Sequence, residues 1–230
     1  MLLEGDVAHQ VSRVLRMQAG DQVVLLDDSG REFLVRLESF KGGQVEGRVV
    51  AVEAGRGEPR VRLTLYQGLL KGEKLEWVLQ KGTELGIAAF VPIICQRSVP
   101  RVDSGWEGRY RRWQRVMTEA AEQSGRSRLP LLRPPISFQE ACDGVDPSHL
   151  SLIPWEGEAK VGIGSVLRER SGDHVNLFIG PEGGFEEVEV AYARARGIFP
   201  VSLGRRILRA ETAALVAAAV VMYQAGEVGR

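Results

Sequence analysis

The sequence predicts an α/β protein, a mostly parallel sheet with helices on both faces, behind a small antiparallel β domain. Three observations carry this expectation. Between residues 61 and 224, apolar strand-like runs alternate six times with runs of helical period. Before that, short runs of period two are separated by the turn clusters DDSGR and KGG, as in a small barrel. Between the two patterns stands EAGRGEPR, residues 53–60, with two glycines, a proline and alternating charge. The predicted domains are therefore 1–59, a small β-barrel, and 60–230, the α/β domain.

In chain order, VAHQVSRVLRM at 7–17 places Val7, Val11, Val14 and Leu15 at helical spacing, with Arg13 and Arg16 off that stripe. Strands follow at 23–26, 33–37 and 44–52. In the second domain the strand-like runs are 61–66, 89–94, 129–132, 150–153, 175–179 and 199–203. The helical runs are 73–85, 109–124, 137–141, 162–170, 186–196 and 211–224. In such sheets ligands sit at the carboxyl ends of strands, so function is to be sought in the loops just after them.

Composition narrows the classes. The 230 residues carry 30 Lys+Arg and 30 Asp+Glu, a formal charge of zero, which excludes a wholly basic nucleic-acid coat and an acidic disordered tail. The charge is segregated, however. Residues 97–133 hold nine Arg and four acids, net +5, 134–190 have net −8, and 191–230 have net +4. A basic face to phosphate is compatible with that pattern, as is an ordinary surface whose signs cancel. The longest apolar run, 213–223, is far short of the roughly 20 residues of a bilayer span. No membrane association is expected. The opening MLLEGDVAHQ has no signal-peptide pattern, and Cys95 and Cys142 have no metal-ligand spacing, so a reduced cytoplasmic protein without a metal is expected.

Three loops follow three strands. LIPWEG at 152–157 ends an apolar strand in Pro-Trp. IGPEGGF at 179–185 packs three glycines and a proline into five positions, letting the backbone approach a ligand closely. It lacks the Gly-x-Gly-x-x-Gly order and the Gly-Lys-Ser/Thr ending, and Glu182 would repel a pyrophosphate. That combination suits a neutral or cationic ligand, or one offering amine and hydroxyl donors. LGRRILRAETAA at 203–214 crowds Arg205, Arg206 and Arg209 before an almost uncharged helix, where Glu211 and Thr212 suit a helix start by dipole and capping.

These last two segments resemble the signature loops of SPOUT-class S-adenosylmethionine-dependent RNA methyltransferases, and specifically the RsmE family, which methylates N3 of a uridine in 16S ribosomal RNA. LLKGEKLEWVLQKGTELGI at 69–87, TEAAEQSGR at 118–126 and the opening AHQVSRVLRMQAGD are similar to further family segments in the same order. Departures are the single His9 followed by Gln10, Gly82 where alanine is usual, and Ala210 where threonine is common. The resemblance implies a PUA-like barrel, a trefoil knot at about 150–225, a homodimer, and the small ribosomal subunit as partner. It implies a pocket for S-adenosyl-L-methionine lined by Ile153, Trp155, Ile179, Gly180, Pro181, Gly183, Gly184, Leu203, Gly204, Ile207, Leu208, Thr212 and Ala213. Uracil N3 must lose a proton before attacking the methyl group, and a guanidinium would stabilise the charge on O2 and O4. Arg209 is the expected group, with Glu211 or Glu84 as the base. RNA contacts are expected from Arg13, Arg16, Lys81, Glu119, Gln123, Ser124 and Arg126. Ribose 2′-O or other base methylation, and a non-catalytic RNA-binding module, are the alternatives.

Overall fold

The structure, a computed structural model, describes residues 1–99, 106–170 and 172–229. They fall into two units, Met1–Glu58 with Gly125–Arg128, and Pro59–Ser124 with Leu129–Arg230.

The first unit is a four-stranded antiparallel sheet with strand order β1-β4-β3-β2, built from β1 (Leu2–Leu3), β2 (Gln22–Leu26), β3 (Arg31–Lys41) and β4 (Gln44–Ala54). The expected barrel is realised as an open hydrogen-bonded path, because β1 and β2 are its edges. Bulges at Leu34/Val35 and Leu37/Ser39 bend the two long strands. Helix α1 (Gly5–His9) runs into a π-helical turn, Gln10–Val14. That turn adds a residue to the helical register and so changes which side chains face inward. Ala8 and Val11 join Val35, Leu37 and Val45 in the core, whereas Val7, Val14 and Leu15, expected to be buried, are exposed.

The second unit is a parallel sheet with strand order β11-β9-β10-β5-β6-β7. Its strands are β5 (Arg62–Gly68), β6 (Ala89–Ile94), β7 (Leu131–Leu132), β8 (Ile136–Ser137), β9 (Leu150–Pro154), β10 (His174–Ile179) and β11 (Phe199–Val201), and β8 also pairs with β6. The helices are α2 (Lys74–Glu84), α3 (Trp106–Ser124), α4 (Phe138–Asp143), α5 (Ile163–Glu169), α6 (Glu187–Arg194) and α7 (Ala210–Gln224). Strand β10 shows why such strands read as largely apolar runs. Val175, Leu177 and Ile179 pack under α2, α5 and α7, while Phe178 packs on the other face with Phe138, Phe185 and Val190. Buried Asn176 is satisfied by donating to the Ser151 hydroxyl of β9 at 3.0 Å. Parallel pairing brings the ends of β9, β10 and β11 to one edge of the unit.

Candidate active site at the ends of three parallel strands

Two adjoining hollows open at that edge. The first, about 370 Å³, is lined by Pro154 at the end of β9 and Glu156 beyond it, residues 179–185 from the end of β10 onward, residues 207–211 and Ala213 after β11, and Lys74. The second, about 470 Å³, is lined by Trp155, Glu158, Ala159, Gly162 and residues 202–206. Pro154, Glu156, Ile207, Leu208 and Ala213 border both. The glycine-rich loop and the arginine-bearing loop thus share one site.

The glycine-rich loop is held at several points by other elements. Gly68, the last residue of β5, lies so close beneath it that a Cβ would stand 2.4 Å from the Pro181 nitrogen. Only glycine permits that approach. Gly184, at φ +70°, closes a turn in which its N–H donates to the Pro181 carbonyl at 2.9 Å. Buried Gln67 donates through Nε2 to the Gly180 carbonyl at 3.3 Å, and Arg97 donates through Nη1 to the Gly183 carbonyl at 2.9 Å. Glu182 is held by the chain's own donors. It accepts from the Lys71 N–H at 3.0 Å and from Lys74 Nζ at 3.2 Å. Partial burial pushes the Glu182 carboxyl up, but the Lys71 N–H and the Lys74 ammonium outweigh it and hold the group below the usual carboxylate range.

The arginine-bearing loop follows β11. The Ser202 N–H donates to the Val161 carbonyl at 2.8 Å and the Ser202 carbonyl accepts from Ile163 N–H at 3.0 Å, which ties this loop to the segment after β9. Helix α7 then starts with Arg209 as its N-cap and no side-chain cap, so Thr212 does not serve the capping role expected of it. Glu211 lies in the first turn, where the helix dipole favours a carboxylate. Its Oε2 is buried and has no hydrogen-bond partner among the described residues, although the residue lines the first hollow. Arg209, at the same hollow, is exposed. The site therefore offers a close-packed glycine floor, apolar walls, a buried acceptor awaiting a donor, and a guanidinium.

Comparison with known proteins agrees with this geometry. An RNA methyltransferase domain family matches residues 57–222, and an RNA methyltransferase PUA domain family matches residues 3–50. The Ribosomal RNA small subunit methyltransferase E of Bacillus subtilis is 34% identical over 228 residues, covering 96% of this chain and 89% of that protein. That of Synechocystis is 35% identical over 213 residues, covering 92% and 69%. The chain belongs to the ribosomal RNA small subunit methyltransferase E family. Among solved structures, the family member from Neisseria gonorrhoeae bound to S-adenosyl methionine superposes with a TM-score of 0.87 at 30% identity, covering 97% of this chain and 91% of that one. A putative methyltransferase from Legionella pneumophila in complex with the bound cofactor SAM gives 0.85 at 34% identity, covering 97% and 91%.

In this family member, the residues expected at the cofactor divide by position. Ile179, Gly180, Pro181, Gly183 and Gly184 line the first hollow, Trp155, Leu203 and Gly204 the second, and Ile207, Leu208 and Ala213 both. Two do not reach it. Ile153 points into the core beside Phe178, because alternation along β9 turns it to the α4/α6 face, and its neighbour Pro154 lines the hollow instead. Thr212 borders neither hollow.

Glu84 and Lys81 lie outside both hollows. Helix α2 starts at the hollow with Lys74 and runs away from it, so Glu84 lies about 15 Å further along the axis. There it accepts from Lys81 Nζ at 2.7 Å, a local pair outside the hollow. Arg126 is also not on a surface track. It is 4% exposed and bonds both oxygens of Glu58, at 3.3 Å and 2.9 Å, within the first unit. Arg13, Arg16, Glu119 and Gln123 are exposed, while Ser124 donates back to the Ala120 carbonyl. Gln67, Lys74 and Arg97 were not singled out from the sequence. Gln67, polar at the end of an apolar strand, was the one with a readable signal.

Proposed function

We propose that the protein transfers a methyl group from S-adenosyl-L-methionine to N3 of a uridine in 16S ribosomal RNA, in the cytoplasm and as a homodimer. The observation that carries this reading is the single site shared by the glycine-rich and arginine-bearing loops, lined by both Arg209 and Glu211. The residues present fit S-adenosylmethionine. Gly68, Gly180 and Gly184 let the loop pack tightly where a Cβ would meet Pro181, Gly184 or Glu156, which shapes a close-walled hollow, and Glu211 at that hollow offers a carboxylate acceptor to an ammonium, hydroxyl or imino donor. Ile179, Leu208 and Ala213 supply apolar contact, and Glu156 stands by Gly184 as a carboxylate for a cationic ligand.

When bound, the cofactor supplies an electrophilic methyl group on a sulfonium. The chain's own residues prepare the acceptor. Glu211 takes the proton from N3, and Arg209 faces the anion spread over O2 and O4. The loops hold donor and acceptor in line. A trefoil knot is supported by the close hydrogen bonding of the chain after β11 to residues 161–163. A homodimer is supported by Val216 and Tyr223, large apolar side chains left exposed two turns apart on α7. Arg13, Arg16, Glu119, Gln123 and Ser124 remain the proposed RNA contacts.

The test is methyl transfer to small ribosomal subunits followed by nucleoside analysis. 3-Methyluridine is expected, whereas a 2′-O-methylated nucleoside or no transfer overturns the reading.

A further inference from the structure

The amino-terminal half of α3 carries an aromatic group that the hollows at β9, β10 and β11 do not use. Trp106 meets Trp113 edge-on, ring centres 5.0 Å apart at 80°, and lies 5.9 Å from Tyr110. The Tyr110 hydroxyl donates to the Leu132 carbonyl at 2.7 Å, which fixes this shelf to the end of β7. Trp106, Glu107, Tyr110, Arg111 and Pro134 enclose a separate, largely apolar pocket of about 400 Å³. Arg111 and Arg115, one helical turn apart, lead from it along the exposed face toward Glu119 and Gln123. Arg112 is occupied by Glu73 and Glu76, but among the described residues no ion pair engages Arg111 or Arg115.

The geometry points to a second RNA site, in which an unpaired nucleobase stacks on Trp106 and Tyr110 while Arg111 and Arg115 take the flanking phosphates. It rests on the reading of this protein as an enzyme acting on RNA. Flat π-faces with adjacent, unneutralised guanidinium groups are the chemistry that single-stranded nucleic acid binds. Glu107 and Arg111 at the pocket give an acceptor and a donor for the base edge. An apolar peptide would fill the pocket equally well but gives no reason for the arginine stripe. Arg111 and Arg115, engaged by no ion pair among the described residues, favour a polyanion. The base held here is not the one methylated. Strand β7 is three strands from β10, about 14 Å across the sheet.

Binding of a fluorescent oligouridylate and of a 16S rRNA transcript tests this, with S-adenosylmethionine binding by calorimetry on the same samples. Trp106→Ala is expected to weaken RNA binding roughly 5- to 150-fold, Trp106→Phe to retain most of it, and neither to change cofactor affinity. Arg111→Ala, on an exposed side chain, is expected to lower the salt slope of RNA binding by about 1. It carries the test if Trp106→Ala fails to fold. Unchanged RNA affinity and salt slope, or a Trp106→Ala loss of RNA and cofactor binding together alongside an unaltered Arg111→Ala slope, overturns the shelf. If the wild-type protein binds cofactor but no RNA, the reading on which the shelf rests falls with it.

Discussion

Arg209 and Glu211 are two residues apart and border the same hollow, yet their surroundings differ. Arg209 caps α7 through its backbone and keeps its guanidinium exposed, whereas Glu211 buries Oε2 with nothing to accept. A group that stabilises only the developing uracil anion affects turnover and not ground-state binding. Arg209→Ala is therefore expected to lower kcat by about 10²- to 10³-fold while calorimetry shows cofactor affinity little changed. Equal loss of both would make it a cofactor contact. Glu182 acts differently, by holding the glycine-rich loop. Its pKa lies below the ordinary 4.5, so what the Lys71 and Lys74 contacts contribute is complete above the ordinary value and disappears as pH falls through the lowered one. Cofactor affinity of the wild type is expected to drop over that acidic range. Glu182→Gln, which lacks the ion pair at every pH, is expected to bind more weakly at neutral pH and to show a flatter profile.

The glycine-rich loop works because β5 passes directly beneath it. Gly68→Ala would drive a Cβ into the backbone at Gly180 and Pro181, neither of which is a movable side-chain end. About 1–3 kcal/mol of destabilisation and a large loss of cofactor affinity are expected, read by urea unfolding and calorimetry. Gly164→Ala, whose Cβ would meet only Arg168 at 3.5 Å, is expected to cost neither. Strands at this scale were legible because both sheet faces are covered, which turns β6 and β10 into largely apolar runs. β8 was not, since two residues carry no period and its pairing with β6 is set by distant chain. At α1 the π-helical turn defeated a 3.6-residue reading, keeping Val11 buried but replacing Val7, Val14 and Leu15 with Ala8. In α2, helical spacing paired Lys81 with Glu84 but could not tell which end of the helix meets the hollow. Strand order decides that, and strand order is a long-range property.

For the whole molecule, the exposed side of α7 gives one expectation. Tyr223 is 66% exposed and Val216 is also exposed, while Ile207 at the hollow is 89% exposed. Burying such groups against a second copy is expected to make the wild type sediment as a dimer, and Val216→Glu or Tyr223→Glu as an inactive monomer. A wild type that stays monomeric and active rules this out. The division of the chain shows a different limit of sequence reading. A composition shift marked the change near residue 58, but nothing local signals that Gly125–Arg128 belongs to the first unit. What places it there is tertiary. Ser127 fits only because Gly55 lacks a Cβ, and Glu58 accepts from Arg126 Nε and Nη2 and from the Arg128 N–H at 3.0 Å. Glu58 and Arg126 are 68 positions apart, beyond any periodicity. Since the guanidinium is buried, removing its carboxylate costs far more than breaking the exposed Arg48–Glu38 pair. Glu58→Ala is expected to destabilise the first unit by about 3 kcal/mol, Glu58→Gln by less, and Glu38→Ala hardly at all. Urea unfolding followed by hydrogen exchange of β3 and β4 measures it. If Glu58→Ala and Glu38→Ala shift the midpoint alike, the buried pair does not hold Gly125–Arg128 in the first unit.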